Sequence, residues 1–172
     1  MFERERKRVE IGDATALLDM GLHYNDGTYG LQQDCTKALE LWHRAGELGN
    51  ATAYHNIACS YKDGDGVEMD YKKAIHYWEL AAMRGHTRAR QNLGALEGKA
   101  GNNDRALKHY MIGTRNGDSN SLKTIKLMYK DGQATKDDYA NALCAYQEYL
   151  NEVKSVQRDE AAEADDDFKY IE

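Results

Sequence analysis

Lys73-Ala74-Ile75-His76-Tyr77-Trp78-Glu79-Leu80-Ala81-Ala82-Met83-Arg84-Gly85 is the stretch that decides the fold. Ala74, Tyr77, Trp78, Ala81 and Ala82 fall three and four residues apart, which lines them along one face of a helix. Gly85 stands where a helix is commonly ended by a left-handed C′ residue. One such segment would be unremarkable, but its phrases return along the chain. An Ala precedes an aromatic by four residues at Ala38/Trp42, Ala74/Trp78, Ala106/Tyr110 and Ala142/Tyr146. A glycine followed by Asp, Asn or His and then a small residue recurs at Gly12-Asp13-Ala14, Gly49-Asn50-Ala51, Gly85-His86-Thr87 and Gly117-Asp118-Ser119, in steps of 37, 36 and 32 residues. Registers that agree in this way define a repeat, and a repeat overrides any domain count drawn from length.

Each unit reads as two helices. Working back from the quoted segment, Ala51 to Lys62 places Ala53, Ile57, Ala58 and Tyr61 on one helical face. Asp63-Gly64-Asp65-Gly66 then supplies glycines that stop a helix, and the second helix runs over roughly Asp70 to Arg84. Asp13, Asn50 and Asp118 are placed to cap the helices that follow them. Tyr24, Tyr61 and Tyr129 hold one register, with Glu97 as the exception. Small residues at Gly21, Ala58 and Gly94 invite close approach of the paired helices, whereas the fourth unit has Lys126 there, a residue suited only to a solvent-facing end of the stack. The third unit is four residues short, all missing from the turn between Gly98 and Asn103. The expected organisation is an N-terminal capping helix in residues 1–11, repeats over 12–48, 49–84, 85–116 and 117–154, and an acidic tail, partly disordered, over 155–172.

These phrases resemble the Sel1-like repeat, a relative of the tetratricopeptide repeat, and the resemblance covers residues 12 to about 152. The quoted segment matches that family's second helix, Gly64-Asp65-Gly66-Val67 matches its turn, and the absence of proline fits it better than tetratricopeptide units. Lys7-Arg8-Val9-Glu10, Gly30-Leu31-Gln32-Gln33-Asp34 and Ser155-Val156-Gln157-Arg158 are similar to Sel1-repeat proteins expanded in diatoms and related algae. The resemblance implies an all-α, right-handed α-solenoid acting as an adaptor or scaffold that binds other proteins. Some such relatives carry a RING-type zinc module upstream. Three scattered cysteines cannot build one here, so the alternative implied is a substrate-presenting part of a ubiquitin-ligase complex.

Composition narrows the function classes. No apolar run approaches the ~20 residues that span a bilayer. The charged start Met1-Phe2-Glu3-Arg4-Glu5-Arg6-Lys7-Arg8 lacks a signal peptide's apolar stretch, and Cys35, Cys59 and Cys144 form no CxxC motif, so an intracellular, cytoplasmic chain is expected. Of the net charge of −6, residues 155–172 carry −5, with seven acids against two bases. The nearly neutral body lacks the basic stripe of a nucleic-acid binder. Asp63-Gly64-Asp65-Gly66 has Val67 where a calcium loop needs an oxygen ligand, and the six histidines form no HxxxH or HExxH pair, so no metal or cofactor is expected. His43, His76 and His109 recur with the repeat. Cys59 follows His55 by four residues, yet nothing supplies the orienting group and oxyanion site of a catalytic dyad. A non-catalytic protein is the expectation.

First helices of such repeats line a concave face. By analogy with tetratricopeptide geometry, positions three before, one after and four after the small residue point into it. These give Leu18, Leu22 and Asn25, then His55, Cys59 and Lys62, then Gln91, Ala95 and Gly98 with Arg88 and Lys99 beside them, then Lys123, Leu127 and Lys130; the candidate partner-binding residues among them are Leu18, Leu22, His55, Cys59, Lys62, Arg88, Gln91, Lys123, Leu127 and Lys130. Apolar at one end and cationic at the other, this row suits a peptide with apolar anchors followed by acids. The tail segment Asp159 to Asp167 is read as a solvating end.

Overall fold

The computed structural model describes the backbone of residues 2–168 and the side chains of Arg4 and residues 6–157. Among the described residues every regular element is an α-helix: α1 (Phe2–Glu10), α2 (Ala14–Asp26), α3 (Cys35–Glu47), α4 (Ala51–Asp63), α5 (Tyr71–Met83), α6 (Thr87–Lys99), α7 (Asn103–Arg115), α8 (Ser119–Lys130) and α9 (Lys136–Phe168). The chain divides into two compact units, Met1–Leu93 and Gly94–Glu172, with the boundary inside α6.

In the first unit α2 to α5 are each 13 residues long. Capping explains the uniform length. Asp13 accepts from the Thr15 and Ala16 N–H groups at 2.9 and 3.1 Å, and Asn50 accepts from Ala53 at 3.0 Å. Asp34 and Asp70 do the same for α3 and α5, and such caps contribute about 0.5–2 kcal/mol each. At the other ends Gly49 and Gly85 adopt φ of +95° and +84°, a region closed to most side chains. α1 packs on α2, and Arg8 reaches the Asp13 carboxylate with Nε at 2.9 Å and a terminal nitrogen at 2.7 Å. The first repeat's N-cap is thereby held from both sides.

Aromatics fill this unit. Trp42 lies so close to Gly21 that a Cβ there would sit 2.6 Å from Trp42 Cδ1. The indole N–H thereby reaches the Leu18 carbonyl at 3.3 Å. In the second repeat Ala58 occupies the place of Gly21, and Trp78 is as buried as Trp42. Its N–H finds no acceptor at hydrogen-bond geometry. Between the repeats, Gly46 lets the Tyr54 ring lie on α3, where a Cβ would meet Tyr54 Cε1 at 2.6 Å. Gly64 and Gly66, both at positive φ, fold the α4–α5 turn back onto the start of α3. There Thr36 Oγ1 donates to the Gly66 carbonyl at 3.4 Å.

In the second unit Gly94 receives Tyr110 with a would-be Cβ contact of 3.0 Å, a looser version of the Gly21–Trp42 fit. Only residues 100–102 separate α6 from α7, against 64–70 in the preceding repeat, and both helices keep 13 residues. The four missing residues therefore come from the turn, as the spacing predicts. The core is Ala106, Tyr110, Ile125, Met128 and Ala142, with Leu107, Met111, Leu122 and Tyr139 packed around it. Lys126 is exposed where Gly21, Ala58 and Gly94 are buried. Thr135 and Asp138 form a reciprocal capping box at the start of α9, with N–H contacts of 2.9 and 3.1 Å. At its far end the register that gave Gly49, Gly85 and Gly117 gives Val153, and with no glycine to stop it α9 runs 33 residues to Phe168. The acidic segment thus begins inside a helix. Residues 169–172 of the expected tail lie outside the described residues.

Candidate partner-binding faces

All ten candidate residues lie on first helices: Leu18 and Leu22 on α2, His55, Cys59 and Lys62 on α4, Arg88 and Gln91 on α6, and Lys123, Leu127 and Lys130 on α8. The cores claim a neighbouring face of the same helices, through Ala16, Leu17, Met20 and Gly21 on α2 and Ser121, Ile125 and Met128 on α8. Leu22 and Leu127 are left open to solvent, at 37% and 57% exposure. Lys123 and Lys130 are exposed as well.

His55 differs from the others. It is 9% exposed, its ring stacks on His86 with centroids 4.4 Å apart, and its Nε2 lies 3.6 Å from Cys59 Sγ. Burial, with His86, Arg88 and Lys62 adding repulsion, pushes its pKa down to about 4. Burial likewise pushes the Cys59 thiol up. A catalytic thiolate–imidazolium pair needs the opposite of both shifts, so this contact is a packing and hydrogen-bonding pair. Lys62 is drawn to Asp63 at 3.1 Å, which holds its ammonium above the usual lysine range.

Sequence reasoning passed over Thr52, Asn56, His86 and Thr87. With His55, Gly85 and Arg88 they line a cavity of about 560 Å³ between α4 and the first turn of α6. The signal was available in part, because His86 fills the slot that Asp13, Asn50 and Asp118 use for capping. It does cap α6, its Nδ1 accepting the Ala89 N–H at 3.2 Å. In the second unit a cavity of about 570 Å³ lies on second helices instead, where Leu107, Met111 and Ile112 are ringed by Asp104, Lys108, Arg115 and Asp138. Among the described residues no helix is long and apolar enough to cross a membrane.

The Sel1 repeat family matches residues 14–50 and 51–86. Chitin synthase regulatory factor 4 of Schizosaccharomyces pombe is 28% identical over 123 residues, 71% of this chain and 19% of that protein. The ERAD-associated E3 ubiquitin-protein ligase component HRD3B of Arabidopsis thaliana is 31% identical over 96 residues, 55% of this chain and 15% of that protein. The chain thus spans less than a fifth of the length of these relatives. Among solved structures, a Sel1 repeat protein from Oxalobacter formigenes superimposes with a TM-score of 0.72 at 29% identity, covering 87% of this chain and 62% of that one. Sel1 repeats are protein-interaction scaffolds, generally without catalytic activity. The helix pairs, the turn glycines and these likenesses together make residues 14–86 a pair of Sel1 repeats, in a chain with the all-α solenoid fold of Sel1-repeat proteins.

Proposed function

We propose that the chain is a non-catalytic scaffold that binds a partner polypeptide on the faces of its first helices. The observation that carries this reading is the shared register of α2, α4 and α8. Each commits one face to its core and leaves the adjoining positions, Leu18 and Leu22, Cys59 and Lys62, Lys123, Leu127 and Lys130, outside it. The chemistry of those positions suits a segment with apolar anchors followed by acids. Selection from a displayed peptide library by the whole chain should enrich such sequences. The Lys123→Glu/Lys130→Glu double variant should lose those with acids and keep the fold. Enrichment of the same peptides by both proteins would refute the assignment of the cationic positions.

A second reading, substrate presentation within a ubiquitin-ligase complex, is favoured by the likeness to HRD3B over 96 residues. A RING module encoded upstream of Met1 in the full gene, with ubiquitin transfer to a bound peptide that the double variant abolishes, would support it. Transfer indifferent to the repeats would remove it.

A further inference from the structure

In the second unit an apolar face of α7 lies open beside the start of α9. Asp104, Lys108, Met111 and Arg115 are spaced four, three and four residues apart, which aligns them as one seam along the helix, with Leu107 and Ile112 on its two flanks. Leu107 and Met111 are half-buried against the core, and Ile112 is 39% exposed. With Asp138 these residues line the cavity of about 570 Å³. The chain reverses between α7 and α8 and again between α8 and α9, so α7 and α9 run the same way. Asp138, in the first turn of α9, therefore stands at the end of the face where Asp104 does, and Arg115, in the last turn of α7, holds the other end.

The repeat does not ask for this pattern. In the register of Met111 the helices α3, α5 and α9 have His43, Glu79 and Gln147. In the registers of Asp104 and Arg115 they have Thr36 and Glu47, Lys72 and Met83, and Ala140 and Asn151. Among the four, α7 alone joins an apolar middle to opposite charges at its ends. Those charges complement the helix macrodipole, which accounts for their signs and not for the apolar side chains between them.

The face is complementary to itself, and we propose that it binds a second copy of the chain, its α7 antiparallel about a two-fold axis that passes between Lys108 and Met111. In such a pair, residues equidistant from the axis face each other. Asp104 of each copy meets Arg115 of the other, with Asp138 reinforcing the attraction, and Leu107, Met111 and Ile112 of the two copies cover one another. Lys108 lays its alkyl stem along them and carries its ammonium to the rim. The face holds two acids and two bases, so two copies meet there without net repulsion although the chain carries −6. One 13-residue helix, about 20 Å long and about 10 Å wide, offers less than the roughly 800 Å² per partner of a standard interface. The dimer is therefore weak and reversible, with Kd on the order of 100 μM. This goes beyond the scaffold reading and does not rest on it, because the face uses none of the ten candidate partner-binding residues. A dimer presents two sets of them on one particle.

Sedimentation equilibrium of the whole chain, at concentrations spanning that Kd, tests the pairing. The average mass should rise from 19.5 kDa toward twice that value. Arg115→Asp turns an acid toward both Asp104 and Asp138 of the second copy and should weaken association about tenfold or more. Asp104→Arg should weaken it by less, about threefold, since Asp138 remains. Both positions are exposed, so circular dichroism should show unchanged helix content. An equimolar mixture of the two variants should associate more tightly than either alone, because across the axis every arginine then meets an aspartate. Ile112→Lys, which brings a charge into the apolar middle beside the second copy's Lys108, should abolish association.

A chain that stays at 19.5 kDa at every concentration, or variants that associate as the parent does, would overturn the proposal. A mixture no tighter than its components would also overturn it, by denying the antiparallel pairing. Amides of α7 that respond in NMR spectra to a library peptide and not to chain concentration would give the face to a partner polypeptide in place of a second copy.

Discussion

The two units use one plan with different contacts. Residues 14–86, which the Sel1 repeat family matches, lie within the first unit. There a lysine covers a tyrosine ring in each repeat: Lys37 over Tyr24 at 4.4 Å and Lys73 over Tyr61 at 5.0 Å. In the third repeat the same two positions hold Glu97 and Arg105, an ion pair at 3.4 Å. In the fourth, Tyr129 stacks on Tyr139 with centroids 5.7 Å apart. Trp gives way to Tyr along the same route, and the pair Ala45/Ala53 becomes Gly113/Ser121, where the glycine makes room for the serine hydroxyl. The plan is held by helix length, caps and stop glycines, and the contact at a given position is free to change so long as two groups still meet there.

The largest expected effect tests whether the first unit depends more on its aromatics. Trp42→Ala or Trp78→Ala should each cost about 3–5 kcal/mol, whereas Tyr146→Ala, at a half-buried position, should cost under about 1.5 kcal/mol. The chain has only two tryptophans, both in the first unit. Tryptophan fluorescence in urea therefore reports that unit in Tyr146→Ala, and circular dichroism reports both units in every variant. Equal losses at Trp42 and Tyr146 would break the comparison.

Acid should separate the units next. His55, with its pKa down to about 4, and His86 and His43, also lowered by burial, all lie in the first unit. An unfolded histidine binds its proton near pH 6.5 while the folded ones resist, so protons favour the unfolded state. Stability is full above about pH 6.5 and is lost as pH falls toward 4, by roughly 1–3 kcal/mol after allowing for solvent screening. In the second unit the Thr135 hydroxyl and N–H hold the Asp138 carboxyl below its usual range, a contribution lost only at still lower pH. A fluorescence midpoint unchanged between pH 7 and 4.5 would show that the buried imidazoles carry no such weight.

Close packing supplies a third contrast. Gly21→Ala should cost about 1–3 kcal/mol by driving a methyl into Trp42, while Lys126→Ala at the corresponding exposed position should stay within about 0.5 kcal/mol. A large effect at Lys126 would mean that the fourth repeat packs like the first.

Much of this was legible in the sequence, for a physical reason. Helix faces, caps and stop glycines are local, and Asp13, Asn50, Asp118, Gly49 and Gly85 each do what their type and position dictate. The long α9 was legible only in hindsight, from the lack of a glycine at Val153. The site was harder. The repeat register put His55 and Arg88 on first helices, where they lie, but His55 also stacks on His86 at the start of α6, and no single-helix pattern carries that. Asn56 gave no signal at all, since nothing in the register of α4 alone marks it as lining a cavity with the Gly85–Arg88 segment.

The smallest effect asks whether a cation over a ring and an ion pair are equivalent at one repeat position. Single substitutions mislead here, because Glu97 also accepts from the Asn102 amide at 2.7 Å and so ties down the short third turn. A double-mutant cycle removes that contribution. Glu97→Ala with Arg105→Ala should give a coupling of about 0.3–0.5 kcal/mol, and Tyr24→Ala with Lys37→Ala about 0.5–1 kcal/mol. The swap Glu97→Tyr/Arg105→Lys, which writes the first unit's phrase into the second, should then leave stability within about 0.5 kcal/mol of the parent. Salt tells the two contacts apart. At 1 M the Debye length falls to about 3 Å, so the exposed ion pair should lose most of its coupling. The lysine–tyrosine pair, which meets a ring face rather than an opposite charge, should keep part of its own. Equal salt sensitivity would mean that both positions are governed by charge alone, and that the tyrosine rings of the first unit are there for the core rather than for the lysines.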